Sequence, residues 1–397
     1  MSASPTRKIL YVSNVRMPTE KAHGLQIAKM CEAFAAAGAD IELIVPKRRN
    51  AITADARVFY GIRNDLTIRY LPTIDLIGSV RWLGYWLQLA SFAFSVCTHV
   101  LFISRKDHLM YTREFITAIL LRIIGFETVY EAHRVLLKKR MFFFLLKPLD
   151  KIVTNSRGVA DEFIAHGFDQ VLALPNGIDL KEFSFNADKL SLRKELGLPE
   201  NPKIALYSGF LYGWKGIDTL VDAAEILAKK RQTENIGAAG KDQADIRFII
   251  VGGSEEDILA YRKIISDREI PDIDFIGYRD RKTIPRYLKA ADALLLPNSA
   301  RSEESVRYTS PIKLFEYMAS GVPIIASDLP SIREILNESN AVLVPPDDAR
   351  ALARGLCDIL GDYSSASAIS RKARADVEPL TWDNRAKKIL EFVGISH

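Results

Sequence analysis

The chain has 397 residues, 48% of them hydrophobic and 26% charged, the balance of a folded protein long enough for two domains. A net charge of +5 is small for this length and is not gathered into basic runs interleaved with aromatics, which argues against nucleic acid as a partner. Cys31, Cys97 and Cys357 stand too far apart for a disulfide framework or a metal site and fit a reducing cytosol.

Met1 to Lys8 is short and polar and leads straight into a strand, which fits no secretory signal. Lys8 to Asn14 reads as a buried strand, Val15 to Gly24 as a loop, and Leu25 to Ala37 as a helix stopped by Gly38. With a second strand at Asp40 to Pro46, this is the βαβ unit of a parallel sheet. Trp82 to Ile103 is apolar at helical spacing, but Gln88, Thr98, His99 and several serines interrupt it. A membrane span needs about 20 mostly apolar residues, so a buried or interfacial helix is expected instead. Strands follow at Leu109–Thr112, Thr128–Glu131 and Lys151–Thr154, with a helix at Phe115–Ile124. Between Arg134 and Lys151, the cations Lys138, Lys139, Arg140 and Lys147 surround the apolar run Met141 to Leu146. That pattern suits an anionic bilayer surface, and equally a packed helix with a solvated basic edge.

The turn Asn176 to Asp179 and the polar stretch from Lys181 to Pro202 place a domain boundary near residue 183, giving domains 1–183 and 184–379. The second repeats the plan of the first. Its strands read at Ile204–Ser208, Arg247–Val251, Asp274–Ile276, Ala293–Leu296, Pro323–Ala326 and Val342–Val344, with helices between them and a surface insertion at Gln232–Gln243. The fold class expected is α/β, two Rossmann-like doubly wound parallel-sheet domains.

Open α/β sheets gather ligands at the carboxyl ends of their strands, so those loops carry the candidates. Gly209 to Gly216 follows a strand and precedes a helix, with Lys215 as a point charge for phosphate; a solvated lysine on a glycine-rich turn explains it equally well. At Ser310-Pro311-Ile312-Lys313, Ser310 is a good cap and Pro311 a good first helical residue, so the free N–H groups of a helix start would face an anion. Lys313 in that first turn opposes the helix dipole unless an anion is near, or else bends into water. Glu316 could accept two ribose hydroxyls or pair with Lys313. Gly252 and Gly253 follow one strand, and Gly277, Tyr278 and Arg279, candidates for holding a base, follow another. In the first half, His23 and Gly24 sit after the first strand, and Glu131-Ala-His133-Arg134 after a later one.

Taken in order, the Gly24 loop, Glu131-Ala-His133, Asn176-Gly-Ile-Asp179, Trp214-Lys-Gly216, Val251-Gly-Gly253, Phe275-Ile-Gly277 and Ser310 through Asp328 form a series. Over nearly its whole length the chain resembles the retaining nucleotide-sugar glycosyltransferases of family four, with GT-B architecture. The resemblance implies two Rossmann-like domains facing across a cleft, the first binding the acceptor and the second the donor. Residues 380–397 would pack back on the first domain. It implies Lys215 on the diphosphate with Gly209, Gly252, Gly253 and the Ser310 helix start, Glu316 on the ribose, and Gly24 close to the phosphates. His133 would reach the transferred sugar. Neither a metal nor a cofactor is implied, and uridine is the base expected on family frequency. The acceptor would be a glycan, a lipid-linked molecule or a small molecule, and the site of action the cytoplasm, at the inner face of a membrane.

Two positions depart from the pattern. Phe210 stands where the family often has an arginine, which shifts diphosphate binding onto Lys215, backbone amides and Lys313. Tyr308 stands where it often has a glutamate for the donor sugar, with Glu303 and Glu304 out of register, so the sugar contact falls to Tyr308 and Thr309. A nucleotide-sugar epimerase and a non-catalytic nucleotide-sugar binding protein are the alternative readings.

Overall fold

The protein is seen in a computed structural model that describes residues 7–63, 66–76, 81–135, 139–236 and 245–395. Lys138 and residues 237–243 of the expected surface insertion lie outside that range. The chain divides into two units, Met1–Gly177 with Trp382–His397, and Ile178–Thr381.

The first unit is built on seven parallel strands: β1 (Lys8–Val12), β2 (Ile41–Pro46), β3 (Thr67–Leu71), β4 (His108–Thr112), β5 (Glu127–Ala132), β6 (Lys151–Thr154) and β7 (Val171–Ala173). They lie in the order β3-β2-β1-β4-β5-β6-β7, with Ile9 opposite Ile41 on one side and Leu10 opposite Met110 on the other. The central strands are near-continuous apolar runs because helices cover both faces of the sheet. The two edge strands escaped the sequence reading for the complementary reason. β3 is mostly exposed and β7 has three residues, so neither shows an apolar run.

The helix Ala22–Ala36 begins before the expected Leu25, so His23 and Gly24 lie in its first turn and not on the preceding loop. The helix Arg81–Val100 buries Phe92, Val96 and Val100 against Leu10, Val12, Ile44, Met110 and Leu121. Among the described residues, no helix is long and apolar enough to cross a membrane. The last helix, Trp382–Val393, packs on the helix Ala22–Ala36.

The second unit has six parallel strands: β8 (Lys203–Ser208), β9 (Ile246–Val251), β10 (Ile273–Gly277), β11 (Ala293–Leu296), β12 (Ile324–Ser327) and β13 (Val342–Val344), in the order β10-β9-β8-β11-β12-β13. Successive side chains alternate between two cores. Ile204, Leu206, Leu294 and Leu296 join one with Leu314, Phe315 and Met318. Ala205, Tyr207, Ala293 and Leu295 join the other with Ile217, Leu220 and Leu352. In both sheets the strand order reverses beside the first strand of the unit, β1 between β2 and β4, and β8 between β9 and β11. At such a reversal the connecting helices leave to opposite faces and open a crevice at the carboxyl ends of the strands.

Candidate functional site

In the second unit, β8 delivers the chain into the loop Gly209–Gly216 at that reversal. The Gly209 N–H donates to the Val251 carbonyl at 2.8 Å, and the Ser208 N–H to the Tyr317 hydroxyl at 2.9 Å. Gly252 has φ +112°, and a Cβ there would stand 2.5 Å from the Gly209 carbonyl oxygen. Its own N–H reaches the Gly277 carbonyl at 2.8 Å. The loops after β8, β9 and β10 thus touch backbone to backbone, which only glycine permits. Gly216 is tighter still, since a Cβ there would fall 1.7 Å from the Pro297 carbonyl oxygen. Gly253 is crowded by Leu211.

Two amines converge on this loop cluster. Lys215 closes the turn Gly213–Lys215 with its Nζ 3.5 Å from the centre of the Trp214 ring. Lys313 is the second residue of the helix Ile312–Ser320. That helix begins with Pro311 at the capping position and no side-chain cap, so Ser310 stands one residue outside the role expected of it. Lys313 does not bend into water. It is 9% exposed, its Nζ lies 3.7 Å over the Tyr207 ring, and among the described residues it has no hydrogen-bond acceptor. A Cβ on Gly209 would be 3.4 Å from that Nζ, so the glycine leaves room for the amine. Burial, and then the charge of Lys215, hold the Lys313 amine well below the usual lysine range. Lys215 is half-buried as a residue, yet burial of its amine brings it down to about 7 against the pull of Glu304. Two neighbouring ammonium groups deprived of water release protons readily, and a nearby anion restores both charges.

Beside them, Asn298, two residues past β11, is fully buried with neither amide atom hydrogen-bonded, and the Ser305 hydroxyl is likewise unsatisfied. Buried polar atoms without partners are rare in folded proteins. The sequence reading missed Asn298. Its position directly after a buried strand at the reversal was the available signal.

Glu316 is buried and paired with the Arg281 guanidinium, not with Lys313; the second Arg281 nitrogen reaches Glu182 at 2.8 Å. Arg281 is 35 residues away in sequence, and no local spacing announces it. Arg279 donates to the Tyr287 hydroxyl at 3.1 Å and to the Tyr278 carbonyl at 2.8 Å, which leaves Tyr278 half exposed at the mouth of the β10 loop. Tyr308 and Thr309 are buried, and the Tyr308 hydroxyl donates to Glu303 at 2.8 Å. The two acids out of register in sequence therefore face this region, Glu303 through Tyr308 and Glu304 through Lys215. A hollow of about 840 Å3 runs along edge strand β10 beside Arg262 and Ile270, and none of these groups lines it.

In the first unit, Glu131 on β5 is the hub of a closed cluster. It accepts hydrogen bonds from Arg385 at 2.8 Å, His133 at 2.9 Å, Tyr111 at 2.8 Å and Tyr11 at 3.2 Å. Burial alone would raise the Glu131 carboxyl, but Arg385, His133 and Arg113 together hold it well below the usual range. Burial and then Arg113 bring the His133 imidazole to about 4, outweighing the pull of Glu131, so it is neutral at pH 7. His23 also falls to about 4, by burial, Arg113, Lys21 and His133. The close approach at Gly24 is internal: a Cβ there would lie 2.2 Å from the Tyr60 hydroxyl and 2.6 Å from Thr19. Among the described residues, no group of three metal-ligating side chains occurs.

Comparison with known proteins shows what the chain is similar to. Residues 188–376 match the family Glycosyl transferases group 1. An uncharacterized glycosyltransferase of Methanocaldococcus jannaschii is 28% identical over 254 residues, 62% of this chain and 60% of that protein. A D-inositol 3-phosphate glycosyltransferase of Xylanimonas cellulosilytica is 26% identical over 253 residues, 61% of this chain and 56% of that protein. The chain therefore spans less than two thirds of the length of these relatives. The crystal structure of Anabaena Alr3699/HepE in complex with UDP and glucose superposes with a TM-score of 0.74 at 19% identity, covering 98% of this chain and 99% of that one. The chain has the GT-B fold, and residues 188–376 are similar to the glycosyl transferases group 1 family.

Proposed function

We propose that the chain is a retaining, metal-independent glycosyltransferase that takes a nucleotide-diphosphate sugar, UDP-linked, in its second domain and passes the sugar to a hydroxyl acceptor. The observation that carries this reading is the buried Lys313 ammonium, unpartnered beside Lys215 at the strand-order reversal of the second sheet. A buried cation with no counter-ion is costly, and a diphosphate supplies the missing charge. Phe210 leaves the loop without the arginine of the resemblance, and Lys313 fills that electrostatic role from the helix Ile312–Ser320. The helix start at Pro311 and Ile312 and the loops at Gly209, Gly252 and Gly253 bring backbone N–H groups toward the phosphates. Gly277, Tyr278 and Arg279 take the base.

Glu316 is assigned to the ribose, with Arg281 as the group that fixes its rotamer. Tyr308 and Thr309 face the donor sugar, with Glu303 oriented by the Tyr308 hydroxyl. In the first domain, which takes the acceptor, neutral His133 is held by Glu131 and offers a hydrogen bond to a sugar hydroxyl. Retention follows from front-face transfer. The acceptor oxygen bonds to the anomeric carbon as the bond to the diphosphate oxygen breaks on the same face, and the departing diphosphate takes the acceptor proton. Lys215 and Lys313 stabilise the charge that develops on that oxygen. The acceptor is a glycan, a lipid-linked molecule or a small molecule, met in the cytoplasm with peripheral contact to an anionic membrane.

Titration calorimetry with UDP and UDP-glucose tests the reading. Binding to the wild type is expected, with a loss of about 10- to 100-fold in Lys215→Ala, the worth of one charge-assisted hydrogen bond. Unchanged affinity in that variant refutes the assignment. Binding without UDP release from UDP-glucose against any hydroxyl acceptor would instead mark a non-catalytic binding protein.

A further inference from the structure

The exposed large apolar side chains are not spread evenly over the protein. Most of them belong to the first unit, and those of three helices fall on one side of its sheet. The helices Arg81–Val100, Phe115–Ile124 and Lys139–Leu146 pack next to one another in that order, the last joined to the second by the edge-to-face pair Phe115–Phe142 at 5.7 Å. Each buries one stripe against the unit and leaves another bare.

On the first helix Leu83, Leu87 and Phe94 follow at helical spacing and Leu101 and Phe102 continue past its end, while Trp82, Tyr85 and Trp86 cluster at its start. Trp82 is 76% exposed, Phe94 71% and Phe102 93%; Ile123 of the second helix is 72% exposed and Phe144 of the third 74%. A monomer in water gains nothing by presenting such a face.

The charges on this face have one sign. From Leu76 to Lys106 the chain carries no acidic residue, and none lies in Lys139–Leu146. Arg105, Lys106 and Arg140 are exposed, and Arg105 lies against Gly125 at the end of the middle helix. The bordering acids are Asp107, at the amino end of the sheet, and Asp150, already paired with Arg122 at 2.7 Å. His99 is pushed down by burial and Arg69, so it adds no charge.

We infer that the three-helix face Trp82–Phe102, Ile123 and Met141–Leu145 is a docking surface for an anionic lipid bilayer. The inference gives a surface to the peripheral membrane contact proposed above and rests on that reading. Cations at the rim meet lipid phosphates, while tryptophan and tyrosine occupy the headgroup boundary where their mixed character fits. A second copy of the chain fits worse, because a two-fold interface would set the same cations against each other. The sequence pattern at Arg134–Lys151 had marked only the third helix; packing joins it to the longer apolar stripe of the first.

The test is flotation of the full chain with vesicles of phosphatidylcholine alone and of phosphatidylcholine with phosphatidylglycerol. Binding is expected on the anionic vesicles and at least about tenfold less on the neutral ones, at about fivefold per surface cation. The triple variant Trp82→Ser, Phe94→Ser, Phe144→Ser is expected to stay folded, since all three are exposed, to bind UDP as the wild type does, and to lose flotation. No flotation on anionic vesicles overturns the inference. So does flotation that survives the triple variant, or self-association in sedimentation that the same variant abolishes. Because UDP binding is read separately, failure of the docking surface and failure of the donor site give different results.

Discussion

The two sheets reverse their strand order at equivalent places, yet they handle buried charge there in opposite ways. In the first unit Glu131 is met by Arg385, His133, Tyr111 and Tyr11, so folding itself completes the cluster. In the second, Lys313 is buried without an acceptor, Lys215 lies close enough to oppose it, and Asn298 and Ser305 keep unsatisfied atoms nearby. A closed cluster positions its members. An open one leaves a demand for a counter-charge, which the proposed diphosphate would meet. The same architecture thus holds one cluster whose charges are met within the chain and one, proposed above to take the donor diphosphate, whose charges are not, and the difference lies in which partners the chain supplies.

The largest effect expected from breaking that contrast is in the closed cluster. Arg385→Met leaves Glu131 buried without its cation, which costs about 3–5 kcal/mol of stability by the usual behaviour of a buried pair that loses one partner. The double variant with Glu131→Gln should recover part of that loss in urea unfolding, because the uncompensated charge is gone. The open cluster should respond with the other sign. Lys313→Met removes an unpaired ammonium from a buried site, so the free protein should become more stable, while UDP affinity falls by about 10- to 100-fold. A Lys313→Met protein that is less stable and binds UDP normally would erase the distinction between the units.

Much of this was legible in the sequence, and the limits have physical causes. The central strands announced themselves as apolar runs, since a parallel sheet is buried on both faces. The edges β3 and β7 did not, being half-solvated or too short. At the site, Lys215 and Lys313 could be named from their places after a strand and at a helix start. Their burial, and for Lys313 the lack of an acceptor among the described residues, could not, because those depend on Tyr207, Gly209 and Trp214 closing around them. The partners of Glu316, Glu131 and His133 were hidden for a simpler reason. Arg281 lies 35 residues from Glu316 and Arg385 lies 254 from Glu131, distances that only the folded chain closes. Gly24, Gly216, Gly252 and Gly253 carry an ambiguity that space resolves: each has a close neighbour within the protein, so packing alone explains why a side chain is excluded.

The sharpest comparison comes from pH. Lys215 titrates near 7 when folded and near 10.5 when free, so between those values the unfolded chain binds the extra proton and stability rises with pH. His133 behaves the same way in a lower window, its folded value near 4 against 6.5, so stability falls as pH drops from about 6.5 toward 4. A bound diphosphate should act on only one of these windows. It draws the proton back onto Lys215, so UDP-glucose affinity should weaken as pH rises through about 7, with uptake of protons on binding, and ligand should flatten the upper limb of the stability curve. UDP-glucose suits the measurement because its diphosphate does not itself ionise in this range. The lower limb, belonging to a cluster that is already satisfied, should be the same with and without ligand. Proton uptake below pH 6 and none near pH 7 would move the anion site from the second unit to the first.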